Sequence, residues 1–218
     1  MSTYNDRKNL NQSIESILDQ TYRNFEFLIL DDASTDSSYE QLEAYQKLDK
    51  RIMIFSNKVN KGLTKSLNIL IKKSKGNYIA RQDSDDISMK DRFNTQINYL
   101  TDGKYDLCFT RAKLKDSGKF IPGLSYYIPP KVSIKYKNPF IHGSLMIKKS
   151  VLEKLNYYDE NFYYAQDYKL FKDAMMNNYQ IKYLNKAMYL LNTKDNISTL
   201  NKNEQKYYAN CIKKGVNP

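Results

Sequence analysis

At 218 residues, with 41% hydrophobic side chains, the chain suits one domain, or one domain with a small appendage, and can bury a substantial core. The formal net charge of +11 favours anions such as nucleotide phosphates or an anionic membrane surface; the lysines are scattered as on solvated helices, and no nucleic-acid partner is expected. Cys108 and Cys211 fit neither a disulfide framework nor a zinc site, no apolar run reaches transmembrane length and no signal peptide is evident, so a cytoplasmic protein, soluble or peripheral at the inner membrane face, is expected.

The first half alternates helix and strand. Leu10, Ile14, Ile17 and Leu18 recur at helical spacing. Phe25 to Leu30 is a nearly continuous apolar run, as in a buried strand, and Asp31 to Ser38 is a polar loop. Tyr39, Leu42, Tyr45 and Leu48 mark a second helix with Asp36 as its cap, and Ile52 to Phe55 the next strand. Leu63, Leu67, Leu70 and Ile71 mark a third helix. Tyr78 to Ala80 is a short strand, followed by the acidic run Asp83-Ser84-Asp85-Asp86. Phe93, Ile97 and Leu100 give a fourth helix face, and Tyr105 to Leu114 another strand.

The second half is less regular. Asp116 to Lys119 reads as a hairpin turn, while Pro129-Pro130 and Asn138-Pro139 break regular structure. Leu145 to Ile147 is a strand, and Leu170, Phe171, Ala174 and Met175 give a helix beginning near Asp167. Residues 201–218 form a basic helix or a frayed tail. The alternation predicts an α/β fold with a mostly parallel central sheet flanked by helices. Ligands of such sheets bind beyond the carboxyl ends of the strands, where Asp31 and Asp32, and Asp83 and Asp85, would converge.

Carboxylates two residues apart at a strand end repel one another unless a cation sits between them. Asp83 and Asp85 therefore suit a hard divalent ion with oxygen ligands. The same residues also suit a solvated loop that caps the helix beginning near Met89.

The run Gly76-Asn77-Tyr78-Ile79-Ala80-Arg81-Gln82-Asp83-Ser84-Asp85-Asp86-Ile87 resembles the Asp-x-Asp segment of family 2 glycosyltransferases, whose nucleotide-binding α/β fold is of the GT-A type. Met1 to Asn5, Ser16 to Tyr22, Leu30 to Asp36 and Asn60 to Leu63 resemble further segments of that family, in order. The resemblance covers roughly the first 170 residues. It implies an inverting glycosyltransferase, with a UDP-linked sugar as donor, Mn²⁺ or Mg²⁺ as cofactor, and a glycan or lipid-linked glycan of surface polysaccharide as acceptor. It places Thr3 and Tyr4 in the nucleoside pocket, Tyr4 beside the base, and Asp32 as hydrogen-bond acceptor for the base. It makes Asp85 the direct metal ligand, with Asp83 assisting through water or ribose. Asp167 takes the general base's place, with Gln166 where the family has Glu; His142 and Arg81 fall near the acceptor or diphosphate. Bland readings stand beside these: Asp32 as a turn residue, Asp167 as a helix cap, His142 as a hydrogen-bonded structural residue.

The resemblance divides the chain into a transferase domain over 1–200, with a nucleotide-sugar half (1–115) and an acceptor half (116–200), and the basic segment 201–218. Two departures matter. The family's first strand begins several residues before the equivalent of Met1, so lost ladder bonds are expected there. Asn192, Thr193 and Lys194 stand where relatives carry a His or Arg, within the stretch 190–198, which puts a third protein ligand to the metal in question. The alternatives to a transferase are a sugar nucleotidyltransferase and a non-catalytic glycan-binding relative.

Overall fold

A computed structural model of the protein describes residues 1–194 and 200–218. Strands β1 (Ser2–Thr3), β2 (Phe27–Asp31) and β3 (Ile52–Ser56) form a parallel sheet in that order. Helices α1 (Arg7–Leu18), α2 (Ser38–Leu48) and α3 (Leu63–Lys73) connect and cover it. The chain continues through β4 (Tyr78–Ala80), β5 (Ile87–Ser88), α4 (Arg92–Thr101), β6 (Leu107–Leu114) and β7 (Phe120–Ile121). It then forms α5 (Pro130–Ser133), β8 (Met146–Lys148), α6 (Lys149–Lys154), α7 (Gln166–Met176), β9 (Ile181–Leu191) and α8 (Lys202–Lys214).

The second sheet runs β4-β8-β6-β9-β5, with β7 on β6. Here the expectation of a mostly parallel sheet needs refining. Only β6–β9 is parallel; β4–β8, β6–β8, β5–β9 and β6–β7 are antiparallel. The β6–β7 hairpin explains one antiparallel pair: Gly118 takes a φ of +64° in the predicted turn. β6 and β9 belong to different halves of the predicted division yet share one ladder.

Residues alternate between the two faces of the sheets, as the period-2 pleat requires, with Leu28 and Leu30 of β2 forming a small cluster of their own with Leu70 of α3. Phe27 and Ile29 of β2 and Cys108 of β6 pack with Leu10, Ile14 and Ile17 of α1, Leu42 of α2, and Phe93, Ile97 and Leu100 of α4. Leu107 and Phe109 of β6 and Ile147 of β8 pack on the other face, with Leu67 and Ile71 of α3, Phe171 and Ala174 of α7, and Cys211 and Ile212 of α8. The basic C-terminal segment is thus a docked helix over Lys202–Lys214 rather than a frayed tail. Both cysteines are buried free thiols.

β1 has two residues, and the Met1 amine donates to Leu28 O at 2.8 Å. Burial, followed by the nearby Arg81, pushes that amine down to about 4, so it is neutral at pH 7. Beyond Met1 the seam between β2 and β4 is a cavity of about 640 Å³, lined by Leu28, Ile79, Leu67 and Ile97 among others. The two sheets are not hydrogen-bonded to each other there among the described residues.

Behind the strand ends, Gly143 lies in a tight turn over His142–Ser144, directly against the fully buried Tyr189 of β9. A methyl group at this position would overlap the Tyr189 ring. Gly143→Ala should therefore destabilise the fold by about 1–3 kcal/mol. At roughly 2–4 °C of Tm per kcal/mol for a chain of this size, calorimetry should show a fall of several degrees. An unchanged Tm would mean the ring is free to shift.

Candidate functional site

The ends of β1, β2 and β4 open onto a cleft of about 1370 Å³. Thr3, Tyr4, Asp32, Asp83, Asp85, His142 and Asp167 all line it. The structure thus gathers at one place seven residues that the sequence singled out from positions up to 164 apart. Arg81 is the exception. It is buried behind the wall, where its guanidinium donates to Asp83 Oδ1 and to the carbonyl of Gln82. It acts on the cleft through Asp83 rather than by facing a ligand.

The acidic loop between β4 and β5 is held from beneath by buried polar groups. Gln82 Nε2 donates to Asp86 O at 2.9 Å, and Ser88 Oγ donates to Gln82 Oε1 at 2.6 Å. Ser13 Oγ of α1 donates to Asp83 O at 2.8 Å. The Asp83 amide donates to Tyr189 Oη at 3.1 Å. Arg92, fully buried, donates to Gly143 O and Arg81 O at 3.1 and 2.9 Å and lies against the Tyr189 ring. Burial, the largest single influence, would raise the Asp83 pKa, but the opposing influences, led by the charge and hydrogen bond of Arg81, together hold the carboxyl below its ordinary range.

The neighbouring carboxyls behave oppositely. Burial, then the charges of Asp83 and Asp6, push Asp85 up to about 7. Asp86 is raised by burial and by Asp83 and Asp85; it accepts the Asn192 amide at 2.6 Å. Asp6 is raised mainly by burial and accepts Ser84 Oγ at 2.6 Å. Asp85 has only a long 3.4 Å approach from Asn192 Nδ2 among its described side-chain partners. A carboxylate pushed up by its neighbours and open to a cleft fits a divalent cation, which would relieve the repulsion. No group of three His, Cys, Asp or Glu side chains that could enclose a metal occurs among the described residues. The donor set therefore fits an ion of the Mg²⁺ type, held by one or two carboxylates and completed by water and substrate phosphates. Of the stretch 190–198, residues 195–198 lie outside those described.

On the nucleoside side, Tyr4 is 50% exposed and offers a ring face to the cleft. The Thr3 hydroxyl is buried in the wall with no partner among the described residues. An orphaned hydroxyl costs free energy until a ligand satisfies it. Asp32 is more occupied than predicted. Oδ1 accepts Asn57 Nδ2 at 2.7 Å and the Lys61 amide at 3.0 Å, and Oδ2 accepts the Gly62 amide at 2.8 Å. Asp32 thus builds the loop before α3, leaving capacity at Oδ2 for a ligand donor. Gly62 in that loop has a φ of +84° and lies against Tyr163, just ahead of α7. A side chain at Gly62 would be strained and would collide with the ring.

Asp167 stands in the first turn of α7, whose N-cap is the left-handed Ala165. Asp167 is therefore not the cap residue. It accepts Asn138 Nδ2 at 2.7 Å, and burial raises its pKa despite nearby backbone N–H groups. His142 meets Tyr158 Oη at 2.7 Å. Burial, then Arg81, lowers it to about 3, so it lines the cleft as a neutral imidazole and brings no charge to a diphosphate. Sequence reasoning missed Gln82, Tyr189, Arg92, Ser13 and Asn138.

The ends of the parallel β1–β3 sheet and of β4 in the second sheet thus bring a repelling carboxylate pair and the partly buried Asp167 carboxyl to one cleft. The family model "Glycosyl transferase family 2" matches residues 1–156, and the chain belongs to that family. It is similar to the O-antigen biosynthesis glycosyltransferase WbnJ of Escherichia coli, 32% identical over 95% of this chain and 83% of the relative. An uncharacterised glycosyltransferase of Methanocaldococcus jannaschii is 32% identical over 98% of this chain and 77% of the relative. The GT-A fold is shared with S. aureus TarS 1–349 in complex with UDP, at a TM-score of 0.78 and 21% identity. It is also shared with the mannosyltransferase PcManGT of Pyrobaculum calidifontis in complex with GDP-Man and Mn²⁺, at 0.79 and 17%. This chain is covered to 97% and 100% in these alignments, but spans only 62% and 64% of those two chains. Family membership sets aside the nucleotidyltransferase alternative.

The two loop carboxylates should separate in stability. Asp83→Asn leaves a buried guanidinium without its charge partner. It should cost about 2–3 kcal/mol, below the about 3–5 of a fully buried pair because the Asp83 side chain is 29% exposed. Asp85→Asn removes a repelled charge and should leave the Tm equal or higher. Thermal melts of the ligand-free proteins make the comparison, and equal losses would contradict it.

Proposed function

We propose that the protein transfers a sugar, with inversion, from a nucleoside-diphosphate donor to a glycan or lipid-linked glycan acceptor in surface-polysaccharide biosynthesis. The observation that carries this reading is the placement of Asp85 and Asp167 in one cleft with Thr3, Tyr4 and Asp32. The O-antigen role in the name of the Escherichia coli relative supports the acceptor class. The UDP bound to TarS supports UDP as the nucleotide, and the GDP-Man bound to PcManGT makes GDP the comparison to run.

Tyr4 stacks on the base, while Thr3 Oγ1 and Asp32 Oδ2 hydrogen-bond to the nucleoside. Asp85 would hold Mn²⁺ or Mg²⁺, and Asp83, fixed by Arg81, would assist through water or ribose. The bound cation supplies charge neutralisation for the departing nucleoside diphosphate. Asp167 accepts the proton of the acceptor hydroxyl as it attacks the anomeric carbon, held in place by Asn138. Burial makes Asp167 a stronger base than an exposed carboxylate, and the helix N-terminus limits that gain. Gln166, an amide, has no useful basicity near pH 7.

Asp167→Asn keeps the shape and loses the base. Single-turnover transfer should fall by about 10²–10⁴, with donor affinity near normal. In the wild type, transfer should decline as pH drops through the raised Asp167 pKa, because only the ionised form accepts the proton. A mutant that turns over like the wild type would remove Asp167 from the mechanism. Separately, chelation of divalent ions or Asp85→Ala should lower transfer by orders of magnitude while the fold survives. Activity indifferent to chelator would end the metal reading.

A further inference from the structure

One surface joins exposed apolar side chains to unpaired lysines and has no part in the chemistry above. Between Asp116 and Glu153 the sequence contains no Asp or Glu. Within this stretch α5 continues as helical turns to Lys137, through the Lys135, Tyr136 and Lys137 amides. Its inner side is fixed: Ser133 and Ile134 are buried, and Tyr168 Oη donates to Ile134 O at 2.7 Å. Ile128, Lys131, Val132, Lys135 and Tyr136 recur at i, i+3/i+4 and i+7/i+8, which puts them together on the outer side. All five are exposed. The preceding turn adds Leu124, 87% exposed, and Tyr127, 69% exposed. Lys119, Lys131, Lys135 and Lys137 are exposed and form no ion pair among the described residues.

Aliphatic and tyrosyl tips ringed by unpaired lysines suit one environment. The apolar tips gain from the acyl boundary of a bilayer, Tyr suits its headgroup level, and the lysines meet anionic phosphates. The same segment reaches the cleft, since Tyr136, Lys137, Asn138 and Phe140 line it.

We propose that the Leu124–Lys137 surface docks on an anionic phospholipid bilayer and so presents the cleft rim to an acceptor carried on a lipid. The docking stands on the surface alone; the delivery of acceptor rests on the transferase reading above.

Sedimentation with sucrose-loaded vesicles tests it. The full chain should pellet with phosphatidylcholine–phosphatidylglycerol vesicles, less so as salt rises, and remain in solution with phosphatidylcholine alone. Lys131→Ala with Lys135→Ala should weaken binding about thirtyfold, at about fivefold per lysine. Lys47→Ala with Lys50→Ala removes the same charge from exposed positions elsewhere and should change binding less than about twofold. Leu124→Ser, Ile128→Ser and Val132→Ser together should abolish binding with an unchanged Tm. Failure of the wild type to bind anionic vesicles would overturn the proposal. So would equal weakening by the two lysine pairs, or indifference to the triple substitution. Light scattering that shows a dimer dissolved by the triple substitution would assign the face to a second copy instead. Calorimetric UDP affinity on the same samples reports separately on the cleft: vesicle binding without nucleotide binding would sink the transferase reading and leave the surface intact.

Discussion

Three carboxyl groups crowd the β4–β5 loop and Asp6 meets them from the head of α1; of the four, only one has a cationic partner among the described residues. Arg81 pairs with Asp83, while Asp6, Asp85 and Asp86 are pushed up by burial and by the charge of Asp83. A loop with that much uncompensated charge would swing out into water if nothing restrained it. Gln82, Ser13, Ser88, Tyr189 and Arg92 restrain it by hydrogen bonds from α1, α4, β5 and β9. The repulsion is thereby kept at the cleft edge, where a cation and a diphosphate can relieve it.

Such a scaffold is costly. Buried arginines and glutamines stabilise a fold only when their groups are paired, and the Nε atoms of Arg81 and Arg92 have no partner among the described residues. The cost is consistent with a site whose geometry matters more than its stability. The opposite wall is fixed by different means. Asp32 gathers the loop before α3, Gly62 lies against Tyr163, and Ala165 in the left-handed region starts α7 so that Asp167 faces the same cleft.

Where the chain carries a simple period, the sequence is legible. The Phe25–Leu30 run forms a strand from Phe27 onward, the β4 strand and the amphipathic α3 and α4 are found where their patterns put them, and the ordered motifs reveal the family. β9, an 11-residue strand between β6 and β5 in the second sheet, escapes because Asn185-Lys186 interrupts its apolar run and register shifts opposite Arg111 break its alternation. The buried polar scaffold escapes for another reason. Asp83 and Tyr189 are 106 residues apart, and a glutamine or arginine gives no local sign that it will be buried. The occupied state of Asp32 and the burial of Arg81 are invisible for the same cause, since both depend on partners that only the tertiary fold supplies.

In the proposed reaction the repelled charge on Asp85 is relieved by a divalent ion shared with the nucleotide. Electron paramagnetic resonance of Mn²⁺ with the purified protein, titrated with and without UDP, measures this without recourse to turnover. Mn²⁺ should bind weakly to the protein alone and more tightly once UDP is present, and Asp85→Asn should erase that gain while UDP alone still binds. Mn²⁺ binding that is indifferent to UDP, or a gain that survives Asp85→Asn, would contradict it.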